Sequence, residues 1–155
     1  MRLTIADFIE YRGYKVAGRL DFDSEGLLIL TRDGLLQQRL TNPRNKVWKT
    51  YLVQVEGIIS RQALRNLQAG IFLKDGCTLP ARAKIISNPG IWSRTPAVRY
   101  RKSIPDSWIR ISIQDGRNRQ IRRMTAAVGF PTLRLVRIKI GKVGLQLARV
   151  QLPLE

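Results

Sequence analysis

The chain has 155 residues, 44% hydrophobic and 25% charged, as in folded globular domains, and no apolar run approaches the roughly 18 residues of a membrane span. Its 28 basic residues against 11 acidic ones give a net charge of +17, which favours nucleic acid over an anionic membrane surface as partner. The absence of histidine excludes His-ligated metal sites and Ser-His or Cys-His nucleophiles, and the single Cys77 favours a reducing cytoplasm.

Two short elements are predicted before the first distinctive motif. Thr4 is placed to cap a helix over residues 4–12, in which three apolar side chains share one side. Residues 14–18 are expected to be extended and to lead into an acidic stretch.

The acidic stretch, residues 18–34, combines three carboxylates with an apolar run. Asp21, Asp23 and Glu25 are spaced two residues apart, and Gly26 follows them. Residues 27–30 are four large apolar side chains between turn signals, a pattern that predicts a buried strand. We therefore expect the acidic loop to lead into the core, which would hold the carboxylates rigidly, and Asp21 to carry the chemistry.

Other interpretations of the acidic stretch fit less well. It resembles the start of a calcium-binding loop, but the required glutamate at the twelfth position is Arg32 here. A glycosidase pair of Asp21 and Asp23 is disfavoured, because neighbours two apart in a loop rarely face each other across a sugar. Asp23 and Glu25 are interpreted as turn and capping residues.

The middle of the chain alternates between helical and strand patterns. Helices are predicted over residues 34–40 and 61–69, the second capped by Ser60. Alternating side chains predict a strand over residues 48–56, and shorter strands are predicted over residues 71–73 and 81–86.

No regular element is predicted over residues 88–107, because three prolines interrupt them. The stretch interleaves aromatic and basic side chains: Trp92, Arg94, Arg99, Tyr100, Arg101 and Lys102. This mixture suits the binding of unpaired bases and phosphates, and an exposed insertion with scattered charges is the alternative interpretation.

The C-terminal part contains a helix rich in arginine. Asn118 is placed to cap a helix over residues 119–128 that carries Arg119, Arg122 and Arg123 beside its apolar stripe. Three arginines near a helix N-terminus oppose the macrodipole, which indicates that their guanidiniums are needed there. Strands are predicted on either side of it, over residues 108–114 and 132–140.

These elements predict an α+β fold in which a sheet is flanked by helices. Residues 1–155 are expected to form one domain, because the sequence shows no repeat and no linker that would divide it.

Three blocks of the sequence resemble the RsuA-type pseudouridine synthases, in that family's order. Gly18-Arg19-Leu20-Asp21, continuing through residues 24–31, resembles the catalytic motif. Lys49-Thr50-Tyr51 resembles the Lys-x-Tyr strand, and residues 116–124 resemble the late arginine motif. Residues 102–105 resemble a subgroup of this family that modifies 23S rRNA. That subgroup is also expected to match in lacking an N-terminal S4 RNA-binding domain.

The resemblance implies a pseudouridine synthase fold: a mixed, largely antiparallel sheet with flanking helices and a central RNA-binding cleft, with Asp21 at the cleft floor. It also implies isomerisation of uridine to pseudouridine in ribosomal RNA without cofactor or metal. In that reaction the glycosidic N–C bond breaks, the uracil turns in the pocket, and C5 joins the ribose. Asp21 would act as nucleophile or base at the ribose, and Arg122 would pair with it. Tyr51 would lie against the uracil, although the residue pattern alone is equally compatible with a core position.

The resemblance also implies RNA contacts. Arg19 would fill the gap left by the flipped nucleotide, and phosphate contacts are expected for Lys49, Arg117, Arg119 and Arg123. The expected partner is large-subunit rRNA, bound by a cytoplasmic monomer. A non-catalytic rRNA-binding protein is the alternative function, and Asp21 discriminates against it, because an acid at the binding surface weakens phosphate binding.

Overall fold

A computed structural model describes residues 4–7, 10, 12–94, 97–98 and 103–145. The α-helices of this part are α1 (Gly34–Thr41), α2 (Arg61–Ala69) and α3 (Gln120–Ala127). The strands are β1 (Lys15–Val16), β2 (Glu25–Gly26), β3 (Leu30–Thr31), β4 (Lys49–Glu56), β5 (Phe72–Leu73), β6 (Gly76–Cys77), β7 (Arg82–Ile86), β8 (Asp106–Ile113), β9 (Thr132–Ile140) and β10 (Val143–Gly144). No helix among the described residues is long and apolar enough to cross a membrane.

One large sheet organises the fold. Its strands are ordered β10-β9-β4-β8-β7, with antiparallel pairing throughout this path. The short β2 pairs in parallel with β9, which makes the sheet mixed. Two-stranded pairs, β1 with β3 and β5 with β6, lie outside it. The predicted α+β class and the largely antiparallel sheet are therefore confirmed.

The two faces of the sheet have different surroundings. The face that carries Val53 and Val55, here called the helix face, packs against α2 and α3 through Leu67 and Met124. The opposite face, here called the outer face, buries a smaller cluster of Leu52, Trp108, Val136 and Ile138. This division follows from the alternation of side chains along β4, which has buried residues on both faces.

Most long elements lie where the sequence predicts them. The predictions over residues 34–40, 48–56, 61–69 and 132–140 are confirmed to within one residue. Ser60 caps α2 as expected, accepting a hydrogen bond from the backbone N–H of Ala63 at 3.1 Å. Strand β8 begins at Asp106, two residues before its predicted start.

The N-terminal helix prediction is wrong for the residues described there. A 3-10 turn covers Ile5–Asp7 only, and Glu10 and Arg12 are not helical. Residues 8, 9 and 11 of the predicted helix lie outside the described part.

The predicted buried strand over residues 27–30 is also wrong. These residues are half-buried, and only Leu30 belongs to a strand. The backbone of Leu27 is already engaged, because its N–H donates to the carbonyl oxygen of Arg137 and its own carbonyl accepts from the Arg137 side chain. Those groups are therefore not available for a regular strand ladder.

Candidate active site

Asp21 stands at the start of a tight turn at the protein surface. The backbone N–H of Ser24 donates to the carbonyl oxygen of Asp21 at 3.0 Å, which closes the turn over residues 21–24. The Asp21 side chain is 41% exposed. The expectation that the acidic loop leads directly into the core is therefore wrong, because the apolar run beyond the turn does not enter the core as a strand.

Arg137 holds both ends of the loop that carries Asp21. This residue of β9 is 4% exposed, and its guanidinium spans the two chain segments that flank the turn. It donates to the carbonyl oxygens of Gly18 at 2.7 Å, Arg19 at 3.1 Å and Leu27 at 3.0 Å. The planar fork of an arginine suits three such acceptors, and a lysine could not reproduce it. The hydrogen bonds from Arg137 thus fix the turn against β9.

Gly26 allows the loop to approach β9. Its φ is +107°, and a Cβ at this position would come within 2.1 Å of the carbonyl oxygen of Arg137. Only glycine accommodates both the backbone conformation and this approach. The parallel pairing of β2 with β9 therefore depends on Gly26.

Arg119 joins the turn to the start of α3. Its guanidinium makes a two-point contact with the Asp23 carboxylate, at 2.9 and 2.8 Å, and lies 3.9 Å from Asp21. The hydrogen bond from Arg119 lowers the pKa of Asp23 to about 2, although partial burial opposes the shift. Asp23 is therefore more than a turn residue, because it anchors the turn to α3.

Arg119 also corrects the predicted helix start. It adopts a left-handed conformation with φ of 51° immediately before α3, and no side chain caps the helix there. Asn118 is therefore not the cap. Instead, the side-chain oxygen of Gln120 accepts a hydrogen bond from the backbone N–H of Arg117 at 3.0 Å.

Arg122 contacts Asp23 instead of its predicted partner Asp21. Its guanidinium donates to the carbonyl oxygen of Asp23 at 2.8 Å, and its Nε lies 3.6 Å from the Asp23 carboxylate. Burial lowers the pKa of Arg122, and the charge of Asp23 opposes that shift. The turn brings Asp23 closer to α3 than Asp21, so the predicted pair of Arg122 and Asp21 is not formed in this structure.

Tyr51 lies on the helix face beside Arg137. The two residues are cross-strand partners on β4 and β9, so their side chains emerge on the same face. Burial raises the pKa of the Tyr51 hydroxyl, the nearby Arg137 guanidinium opposes the rise, and the charge of Asp21 adds to it. Tyr51 packs against the main hydrophobic cluster, so it has both a core contact and a position near Asp21.

The residues expected to contact phosphates are engaged with the protein. Arg117 donates to the carbonyl oxygens of Gly76 at 2.9 Å and Cys77 at 2.6 Å. Arg123 donates to the Asp75 carboxylate at 2.8 Å, and this bond lowers the pKa of Asp75.

Lys49 and Arg19 differ in their surroundings. Lys49 is half-buried and lies 3.5 Å from the carbonyl oxygen of Gln114; burial lowers the pKa of its ammonium, and Asp115 opposes the shift. Arg19 is exposed, and within the described ranges its side chain makes no hydrogen bond or ion pair. The structure therefore leaves Arg19 available beside Asp21.

An open pocket of about 470 Å³ adjoins the turn on the α3 side. Its lining combines three arginines with few acidic groups: Asp75, Asn118, Arg119, Arg122, Arg123 and Ala126. A pocket with this lining can accept a phosphate group, because guanidiniums bind phosphate oxygens in pairs. No group of three potential metal-ligating side chains is found among the described residues.

A second anchor of the loop was missed by the sequence interpretation. Glu25, treated there as a turn residue, accepts two hydrogen bonds of 2.8 Å from the buried Arg134 of β9. Its carboxylate also accepts from the indole N–H of Trp92 at 2.9 Å and lies 3.8 Å from Arg94. Arginines within an otherwise apolar strand were the available signal, since a buried cation requires an acceptor.

The stretch over residues 88–107 is partly described. Ile91 and Trp92 pack on the outer face, and no helix or strand occurs among residues 88–94. Residues 95–96 and 99–102 lie outside the described part, so the expectation of RNA contacts by Arg99, Tyr100, Arg101 and Lys102 stays a prediction.

Known proteins are similar to this chain in sequence. The family model described as RNA pseudouridylate synthase matches residues 9–127. Proteins named ribosomal large subunit pseudouridine synthase E are 56% identical over 145 residues in Vibrio vulnificus and 55% identical over 144 residues in Vibrio parahaemolyticus. The alignments cover 94% and 93% of this chain, but only 62% and 60% of those relatives.

A solved structure has the same fold. The crystal structure titled pseudouridylate synthase superposes with a TM-score of 0.76 at 32% identity, over 92% of this chain and 56% of that one. These matches confirm the resemblance inferred from the three sequence blocks. The chain belongs to the RNA pseudouridylate synthase family.

Proposed function

We propose that the chain isomerises uridine to pseudouridine in large-subunit ribosomal RNA, as a cytoplasmic monomer in which residues 1–155 form one catalytic domain. The observation that carries this proposal is the grouping of Asp21 and Tyr51 around Arg137. The family membership and the names of the Vibrio relatives support the reaction and the RNA class.

The reaction needs a group at the ribose and a surface for the uracil. The N1–C1′ bond breaks, a C5–C1′ bond forms, the proton leaves C5, and N1 gains a proton, so atoms and charge balance without a cofactor. Asp21 would act at the ribose, as nucleophile at C1′ or as base, from a loop whose backbone is held in place before RNA binds. A preorganised group of this kind avoids the entropic cost of ordering it in the transition state.

Tyr51 would hold the uracil while it turns. Burial raises the pKa of its hydroxyl, so the phenol keeps its proton at neutral pH and is suited to donating a hydrogen bond more than to removing the C5 proton. Its ring shares the helix face with the side chain of Arg137, which lies against the Asp21 loop.

The cations around the turn would bind the RNA backbone. Flipping a nucleotide costs a few kcal/mol, and Arg19, which is exposed next to Asp21, would fill the vacated space. Arg119 and Arg123 line the open pocket and would exchange part of their contact with Asp23 and Asp75 for a phosphate. Arg122 would position Asp23, and Lys49 and Arg117 would support the neighbouring loops.

The test compares Asp21→Asn with wild type on a large-subunit rRNA transcript carrying uridine labelled with tritium at C5. Wild type should release tritium, and Asp21→Asn should bind the transcript but release none. Tritium release by the variant at the wild-type rate would refute the role of Asp21. Binding without release by wild-type protein would favour the non-catalytic RNA-binding alternative.

A further inference from the structure

Three cations lie side by side on the outer face of the sheet. Arg82 and Lys84 are two residues apart on the edge strand β7, so they share one face, and Lys84 is the cross-strand partner of Arg110 on β8. All three side chains are exposed. This group, Arg82, Lys84 and Arg110, is here called the outer basic cluster.

The outer basic cluster lacks an acidic partner among the residues that the structure describes. None of its three side chains forms an ion pair or a side-chain hydrogen bond there. The arginines around the candidate site differ in this respect, since Arg119 and Arg123 each face a carboxylate. Like charges directly opposite on neighbouring strands are destabilising. The repulsion between Lys84 and Arg110 therefore lowers the stability of the sheet, and a bound anion would remove it.

Arg82 is held in a defined position within the cluster. Its guanidinium lies over the Trp48 ring, 4.1 Å from the ring centroid, in a cation–π contact. Because this contact uses no hydrogen bond, the N–H donors of the guanidinium stay available to an acceptor. A cation fixed in this way loses less side-chain entropy when it binds a phosphate.

The cluster lies on the other face from the candidate active site. Arg110 is opposite Leu52, whose side chain lies on the outer face, whereas the next residue, Tyr51, lies on the helix face. No single phosphate can therefore contact Tyr51 and the cluster together. An RNA that reaches both must therefore pass around an edge or an end of the sheet.

We propose that the outer basic cluster binds the phosphodiester backbone of the substrate RNA outside the catalytic pocket, which extends the proposed rRNA function to a second surface. Backbone phosphates are the fitting partner because all three side chains of the cluster are cations, which pair with phosphate oxygens. Its contribution is to affinity for long RNA and not to the chemical step, because it does not touch the reacting nucleotide.

The experiment replaces all three residues, as Arg82→Gln, Lys84→Gln and Arg110→Gln in one protein. Affinity for a full-length 23S rRNA transcript is measured as a function of salt concentration. Each lost phosphate contact reduces the slope of log K against log salt by about 0.7 to 0.9, so we expect a reduction of about 2 to 3. The rate of tritium release at saturating RNA should equal that of wild type.

A matched variant removes three cations from other surfaces: Arg39→Gln, Arg61→Gln and Arg65→Gln. Its net charge equals that of the first variant, and thermal unfolding verifies that both are folded. A control slope close to wild type supports the proposal. A wild-type slope for the cluster variant, or equal slopes for the two variants, overturns it. Failure of the proposed function would appear separately, as absent tritium release by the wild-type protein.

Discussion

Tyr51 and Arg137 are cross-strand partners, and the guanidinium of Arg137 also binds the carbonyl oxygens of Gly18 and Arg19, which lie three and two residues before Asp21. One buried cation therefore sets the position of the Asp21 loop relative to the tyrosine. The Asp21 loop and Tyr51 belong to distant parts of the chain, and this residue of β9 connects them.

Replacing Arg137 should impair catalysis more than RNA binding. Arg137→Lys keeps the charge but loses the fork, and a misplacement of about 1 Å in the Asp21 loop is expected to lower kcat on the order of 100-fold. Arg137→Gln leaves buried carbonyl oxygens unpaired and should cost about 3 kcal/mol in the free energy of unfolding. Tritium release and urea unfolding measure the two effects.

Lys139→Gln is the matched control for Arg137, because Lys139 is an exposed residue of the same strand. It should retain the wild-type kcat and stability. If Arg137→Lys also retained the wild-type kcat, the Asp21 loop would not depend on the hydrogen bonds from the Arg137 guanidinium to its three carbonyl acceptors. The proposed positioning role of Arg137 would then be wrong.

Substitutions at Tyr51 distinguish the contribution of its ring from that of its hydroxyl. Tyr51→Phe removes one hydrogen-bonding group and should lower kcat by about fivefold, because one such contact is worth about 1 kcal/mol. Tyr51→Ala also removes packing against the main hydrophobic cluster and should destabilise the fold by about 3 kcal/mol. Equal kcat values for wild type and Tyr51→Phe at every pH would exclude a role for the hydroxyl.

Asp23 should contribute a pH-dependent stability. Its pKa is about 2 in the folded chain against an ordinary value of 3.8, because Arg119 stabilises the carboxylate. The contribution is fully present above the unfolded pKa of 3.8 and is lost as the pH falls through about 2. The difference in unfolding free energy between wild type and Asp23→Asn should therefore shrink over this acidic interval. A difference that stays constant across it would contradict the lowered pKa.

Glu25→Gln should be strongly destabilising. The variant leaves the buried guanidinium of Arg134 without a counter-charge, and breaking a buried pair from one side costs about 3 to 5 kcal/mol. A double variant, Glu25→Gln with Arg134→Met, removes the remaining charge and should recover part of that loss. Urea unfolding of the two single variants and the double variant tests the coupling, and additive losses would show that the pair is not coupled.

The elements that the sequence predicted correctly are those with a long regular pattern. Strand β9 and helix α2 are fixed by periodicity and by local caps, which operate within a few residues. Residues 27–30 have an equally apolar pattern, but the Leu27 carbonyl is bound by a side chain 110 residues away. A local sequence pattern cannot predict a contact between residues that far apart in the chain.

The sequence predicted which residues lie in the candidate site better than it predicted which of their side chains contact each other. Asp21 lies near Arg119, and Arg122 contacts Asp23 in the same turn, while the roles of these residues in catalysis stay predictions. Which aspartate receives Arg122 depends on the turn over residues 21–24, whose orientation is set by Arg137 from beneath and by Arg119 from α3. These are long-range contacts that no local spacing encodes.

The hydrogen bond between Trp92 and Glu25 gives the Asp21 loop an intrinsic optical reporter. Indole emission responds to a change in its hydrogen-bonding partner, and Glu25 lies only four residues after Asp21 in the same loop. A shift of the loop when RNA is bound would alter the Trp92 emission, which is read without overlap in a variant whose other two tryptophans, Trp48 and Trp108, are replaced by phenylalanine. Loop movement can thus be followed in real time without attaching a dye.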